Sequence, residues 1–330
     1  MPSPHTLLLS RSQVRELLTF PEYVDAVENA FRQYAQGKAL KPALLHVDAI
    51  GGEFHVKAGG LQLGRVYFAL KSNGGFFQNT RRFGMPNIQG IILLCDGENG
   101  YPLAIMDSTE ITMKRTGAAA AIAAKYLARP HSSSITICGC GTQGAIQLLA
   151  MKTLLPLENV YVFDSDESRA HLFAEKMSGE IGLRVTVAAD LRAATRKSDV
   201  CVTCTPSRQP YLGIDDVLPG TFIAAMGADS PDKQELDPEL LKRNKVVVDL
   251  LEQCVHVGEL HHAIGEGMKA EDVYAELGEI VAGHKPGRTS EDEIIVFDAT
   301  GTALQDAAAA AAVYEKAEQA GIGRTINLFG

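Results

Sequence analysis

The stretch "SITICGCGTQGAIQLLA", residues 134–150, decides the fold. A β-branched run ending at Cys138 leads into Gly139-Cys140-Gly141-Thr142-Gln143-Gly144, and an apolar run of helical character follows. G-x-G-x-x-G between a strand and a helix is a dinucleotide-binding turn. Gly139 makes the tight turn, Gly141 admits a pyrophosphate against the helix N-terminus, and Gly144 lets helix and strand pack closely. Twenty residues after Gly144, Asp164 ends the next strand-like run in "VYVFDSDES", with Ser165 beside it. A carboxylate there accepts the ribose hydroxyls and repels a 2′-phosphate. No Arg or Lys follows immediately to reverse that preference, so NAD(H) is expected over NADP(H).

From residue 134 onward, short β-branched runs ("SITIC", "NVYVF", "LRVTVA", "DVCVTC", "TFIAAM", "KVVVD", "EIIVF") alternate with helical segments. That alternation implies a mostly parallel sheet covered on both faces. The loops "TCTPSRQP" (203–210) and "AAMGADSPDKQELD" (224–237) follow two of these strands and lie at the carboxyl edge, where a dinucleotide sits. They place Thr203, Cys204, Thr205, Met226 and Gly227 among the cofactor candidates, with the turn residues Gly139 to Gln143. The first 130 residues read differently. An amphipathic helix over 22–36 closes at Gly37, and extended segments follow near 43–48, 53–57, 66–71 and 88–95, the pattern of an α+β domain. The Ala-rich tail, 302–320, is one helix ended by Gly321 and suited to close packing on another helix.

Composition sets bounds. With 330 residues, two domains are the default. A net charge of −9 argues against a nucleic-acid or anionic-membrane surface. "GAAAAIAA" (117–124) and "DAAAAAAVY" (306–314) fall far short of the roughly 20 apolar residues of a membrane span. "MPSPHTLLLSRSQ" lacks a basic flank before its leucines, so a cytoplasmic protein without a secretory leader is expected. Six scattered cysteines suggest no disulfide framework, and Cys201-Val-Thr-Cys204 lies in an apolar run without a second ligand pair. His261 and His262 are adjacent and lack an i+4 partner, so no metal is expected.

"GYPLAIMDSTEITMKRTGAAAAIAAKYLARP" (100–130), "GCGTQG", "TPSRQP", "GADSPDKQELD" (227–237) and "DEIIVFDATGTALQD" (292–306) together resemble the ornithine cyclodeaminase/μ-crystallin family, over roughly residues 6–328. The resemblance implies an α/β fold in which a Rossmann domain (117–302) is inserted in an α+β substrate and dimerisation domain (1–116, with 303–330 returning to it). It also implies a homodimer. That arrangement explains why the glycine turn comes so late in the chain.

The same resemblance assigns roles. Arg115 in "MKRTGA" matches the family's arginine for the substrate carboxylate, where a bidentate fork suits the ligand. Lys71 in "FALKSNGG" matches the substrate lysine, and burial at a strand end would tune it for carboxylate binding or proton transfer. Asp229 matches an acid near the substrate amine. Lys233 and Thr300 match positions near the nicotinamide, and Arg115 and Thr116 also belong to the cofactor set. The chain departs from the cyclodeaminases and alanine dehydrogenases at Leu44, near which they usually carry an Arg or Lys, and at Lys57-Ala58, where they carry Met-Pro. "VKAGG", Asn87 and Gln89 look more like the iminosuccinate reductase branch. His55 and Lys57 alternate onto one strand face and, if that face lines the pocket, suit a second carboxylate. The leading expectation is an NADH-dependent imine reductase or amino-acid dehydrogenase acting on a small amino or imino acid. An ornithine cyclodeaminase with catalytic bound NAD is the alternative. A non-enzymatic dinucleotide-dependent binder, as in μ-crystallin, is the third reading, disfavoured by the absence of tryptophan.

Overall fold

The computed structural model describes residues 5–328. The chain forms two units, Met1–Arg115 with Thr302–Gly330 and Thr116–Gly301, and it passes from the first to the second within the helix Ser108–Leu127. Each join falls one residue before the boundary expected from sequence.

The first unit carries a seven-stranded sheet. In chain order its strands are β1 (Thr6–Leu9), β2 (Ala39–Ala49), β3 (Gly52–Leu63), β4 (Arg65–Gly75), β5 (Ile88–Asp96) and β6 (Pro102–Asp107), with a C-terminal strand Arg324–Ile326. From β2 to β6 the neighbours are antiparallel, β1 lies parallel to β6, and the C-terminal strand closes the far edge. The three leucines near the N-terminus are thus β1. The helix Phe20–Ala35 begins with a capping box at Thr19 and Glu22 and buries Tyr23, Val24, Val27 and Phe31. The alanine-rich tail forms the helix Ala303–Ala320, ended by Gly321 in the left-handed conformation. It packs on the helix Phe20–Ala35 and on β3 and β4. Small residues make this close approach workable: a Cβ on Gly59 would stand 3.1 Å from the Cβ of Ala303. Only one sheet face is covered in this way. The other exposes Leu45, Val47, Phe54 and Ile91, each at least 40% accessible.

The second unit is built on ten strands. In chain order the unit's strands are β7 (Ser134–Cys138), β8 (Asn159–Phe163), β9 (Val185–Val187), β10 (Val200–Thr203), β11 (Arg208–Leu212), β12 (Phe222–Ala225), β13 (Gln234–Leu236), β14 (Lys245–Val248), β15 (Ala275–Glu276) and β16 (Ile295–Asp298). Eight of them form one parallel sheet, ordered β15-β14-β16-β12-β10-β7-β8-β9, while β11 and β13 pair as a separate parallel ribbon. The strand order reverses on either side of β7, which makes its carboxyl end the topological switch point where such sheets bind ligands. Burial of β7, β10, β12 and β16 on both faces explains their continuous apolar runs.

Candidate active site

In the second unit, Gly139 takes a φ of +107° and Gly141 caps the helix Thr142–Leu154. A Cβ on Gly144 would fall 2.1 Å from the carbonyl oxygen of Gly139, whereas one on Gly141 would meet nothing within 4 Å. Gly144 therefore serves the packing of the turn, and Gly141 opens a space at the helix N-terminus that a pyrophosphate fits. Asp164 holds the turn from the next strand, accepting hydrogen bonds from the backbone N–H groups of Cys140 and Asp166, both at 2.9 Å. Its position at the end of β8 suits the ribose diol. Arg169, in the helix Glu167–Ile181, brings a guanidinium nitrogen to 3.9 Å from the Asp164 carboxylate.

Two loops beyond the carboxyl edge are tied by a residue that sequence reasoning missed. The fully buried Glu235 accepts hydrogen bonds from the backbone and hydroxyl of Thr205 (both 2.6 Å), the Tyr211 hydroxyl (2.8 Å) and the Gly227 N–H (3.0 Å). Burial pushes the Glu235 carboxyl up from its ordinary range, and these donors pull against that push. Thr203 is buried at the end of β10, and the Cys204 thiol donates to the Cys138 carbonyl. Met226 and Gly227 follow β12, Ser165 is exposed, and Thr116 is buried in the helix that begins at Ser108. Thr300 is buried, its hydroxyl donating to Asp249 and accepting from Gln253. Lys233 pairs with Asp229 at 2.6 Å.

A paired substitution separates the two glycine roles. Gly144→Ala is expected to cost about 1–3 kcal/mol of stability, because the new methyl strikes backbone that cannot step aside. Gly141→Ala should leave the thermal midpoint unchanged and weaken NADH binding, as read by quenching or enhancement of nucleotide fluorescence. Equal stability losses in both variants would sink this division of labour.

The first unit holds a buried charge cluster. Lys71 on β4 stands 2.7 Å from one oxygen of Asp306 and Arg115 Nε 2.9 Å from the other, while Arg115 Nη1 donates to Gln305 Oε1 at 3.0 Å. Lys57 on β3 is the direct cross-strand partner of Lys71, so both lysines face the same way, and Lys57 is also buried. All four charged groups are less than 7% accessible. Burial lowers the Lys71 pKa to about 7; Asp306 opposes this, and Arg115 and Lys57 reinforce it. Burial works against ionisation of Asp306 as well, but Lys71 and Arg115 outweigh it and hold that carboxyl below its usual value. The Nε2 of Gln305 is a buried donor without a partner among the described residues. Two cations thus share one carboxylate with a spare donor beside them, an arrangement that a carboxylate ligand would complete.

Other expected substrate residues are placed elsewhere. His55 shares the strand face of Lys57, but its Nε2 lies 3.1 Å from Glu53, nearer the hairpin tip. Gln89 pairs with Gly74, three residues from Lys71, so strand alternation turns it to the opposite sheet face. The Asn87 side chain accepts from the backbone and hydroxyl of Thr80 and braces a turn. Asp306 and Gln305 were not singled out from sequence. Their only local signal is an acid in the first turn of an alanine-rich helix, which reads as a helix-dipole partner.

The chain is similar to known proteins over nearly its whole length. An alanine dehydrogenase of Archaeoglobus fulgidus is 42% identical over 325 residues, covering 98% of this chain and 99% of the relative. The iminosuccinate reductase of Paracoccus denitrificans is 33% identical over 327 residues, covering 98% of this chain and all of the relative. The solved structure of an archaeal alanine dehydrogenase dimer with bound NAD superposes with a TM-score of 0.93 at 42% identity, covering 98% of this chain and all of that one. A family model described as ornithine cyclodeaminase/mu-crystallin matches residues 5–321, and with relatives aligned end to end the chain belongs to that family.

Proposed function

We propose that the protein is an NAD(H)-dependent imine reductase or amino-acid dehydrogenase. It interconverts a small 2-imino acid, or the 2-oxo acid plus ammonia, and the corresponding L-amino acid. The observation that carries the reading is the buried surplus of two cations, Lys71 and Arg115, over the one carboxylate they share, Asp306, with the Gln305 Nε2 donor beside them. Such a surplus is costly in the absence of an anion, and the substrate carboxylate supplies one. Arg115, held in plane by Asp306 and Gln305, takes that carboxylate, and orientation of the α-carbon follows from a fixed fork.

The dinucleotide, when bound at the glycine turn, supplies or accepts the hydride. Lys71 Nζ gives a proton to the substrate nitrogen in the reductive direction and withdraws one in the oxidative direction. Asp229, paired with Lys233, is assigned to the substrate amine, and Thr116 and Thr300 remain in the cofactor set. Lys57 adds a cation that suits a second carboxylate, so the iminosuccinate/aspartate pair is favoured over pyruvate/alanine. The uncovered apolar sheet face with Leu45, Val47, Phe54 and Ile91 is proposed as the interface of a homodimer. The proposal places the enzyme in the cytoplasm, where the dinucleotide pool and small oxo acids are. Among the described residues no helix is long and apolar enough to cross a membrane.

The test follows NADH absorbance with ammonia and each of pyruvate, oxaloacetate and glyoxylate, with ornithine plus NAD run in parallel. NADH consumption with an oxo acid, fastest with oxaloacetate, is the expected result. A flat trace accompanied by proline and ammonia from ornithine would replace this reading with cyclodeamination.

A further inference from the structure

The hairpin of β2 and β3 carries a second cluster, which the proposed reaction does not use. His46 and His55 are directly opposed across the two strands, and so are Asp48 and Glu53 one step nearer the tip. All four share one sheet face, because paired positions and i, i+2 neighbours point the same way. Gly51, at a φ of +81°, makes the turn that keeps the opposed pairs in register. The two imidazole rings meet edge to face at 4.7 Å. His46 Nε2 lies 3.1 Å from Asp48 and 3.7 Å from Glu53, and His55 Nε2 lies 3.1 Å from the other Glu53 oxygen.

We propose that His46, Glu53 and His55, with Asp48 or water in the fourth position, form a binding site for a divalent cation of the zinc type. Candidate ligand atoms of the first three residues lie within 4.8 Å of one another. Bonds of about 2.0–2.1 Å in a tetrahedral zinc site set neighbouring ligand atoms roughly 3.4 Å apart, so the observed spacings need only small side-chain rotations. Two imidazoles with a carboxylate select zinc, cobalt or nickel over magnesium or calcium, which take oxygen ligands. His55 is the least exposed of the four, at 18%, and Asp48 is open to solvent, at 94%, so the site is walled on one side and reachable from the other. Bound metal would clamp the two strands near their turn.

The experiment is a Zn²⁺ titration of the metal-free full-length chain by calorimetry. Co²⁺ is run beside it for the visible bands of a tetrahedral site. One equivalent per chain is expected, undisturbed by excess Mg²⁺. His46→Ala and His55→Ala should each weaken binding by at least about 10–100-fold, the loss typical of disturbing even a ligand's supporting partner. Circular dichroism verifies that the variants fold, and His46→Asn gives a second, milder substitution. Failure to take up one equivalent, or uptake that persists in the His46→Ala/His55→Ala double variant, would overturn the proposal. The measurement needs no turnover, so it stands or falls independently of the proposed reaction.

Discussion

Replacing Lys71 by methionine is expected to lower kcat by about 10²–10⁴-fold, the range of a positioned proton donor or acceptor, while NADH binding stays unchanged. Methionine keeps the length of the side chain and removes the charge, so packing on β4 is conserved. The wild type should show the ionisation directly. With the Lys71 pKa at about 7, reductive turnover needs the ammonium form and declines as pH rises through 7, whereas oxidative turnover needs the free amine and rises through the same range. Lys57→Met removes a neighbouring cation, eases protonation of Lys71, and moves both limbs to higher pH. Stability responds with a definite sign. Between about 7 and the ordinary value of 10.5 the unfolded chain binds a proton that the folded chain does not, so stability falls as pH drops across that window. Lys71→Met should abolish this slope. A kcat limb that survives in Lys71→Met would assign the proton to another group.

Asp306→Ala carries the second large effect, on the fold. Two buried cations lose their common counter-ion, and breaking a buried pair from one side costs about 3–5 kcal/mol. Urea unfolding should show that loss in the midpoint, and the Lys71→Met/Asp306→Ala double variant should recover part of it, since one orphaned charge has gone with the acid. A formate or acetate ion that restores stability to Asp306→Ala would be a direct sign that the cluster accepts an exogenous carboxylate. No loss of stability in the single variant would mean that Lys71 deprotonates at little cost, and the surplus-cation argument would fail.

Much of this was legible from sequence because it is local. The strand, glycine turn and helix at 134–154 are encoded in consecutive residues, and Asp164 follows by one βα unit. The capping box and Gly37 bracket the first long helix in the same manner. Long-range pairing was not legible. Asp306 stands 191 residues from Arg115, and no periodicity links an acid in an alanine helix to an arginine in another. Glu235 is hidden in "KQELD", where a glutamate between polar residues reads as surface, although four donors converge on it. Gln89 shows the limit from the other side. Its neighbourhood suggested the pocket, but the face of a strand residue is set by its register with the neighbouring strand, and one step of parity sends it to the other side of the sheet.

The return of the helix Ala303–Ala320 to the first unit has a consequence for biosynthesis. Residues 116–301 are contiguous and can fold as soon as they leave the ribosome, as domains generally do. The first unit leaves earlier but cannot finish: Lys71 and Arg115 emerge long before Asp306, the acid they share, and the sheet face that carries Lys57 and Lys71 lacks its main cover until the last helix arrives. The nascent chain therefore passes through a stage with a completed nucleotide fold and an open, positively charged half-sheet. Catalytic competence is then acquired in a single late step, when the C-terminal helix docks.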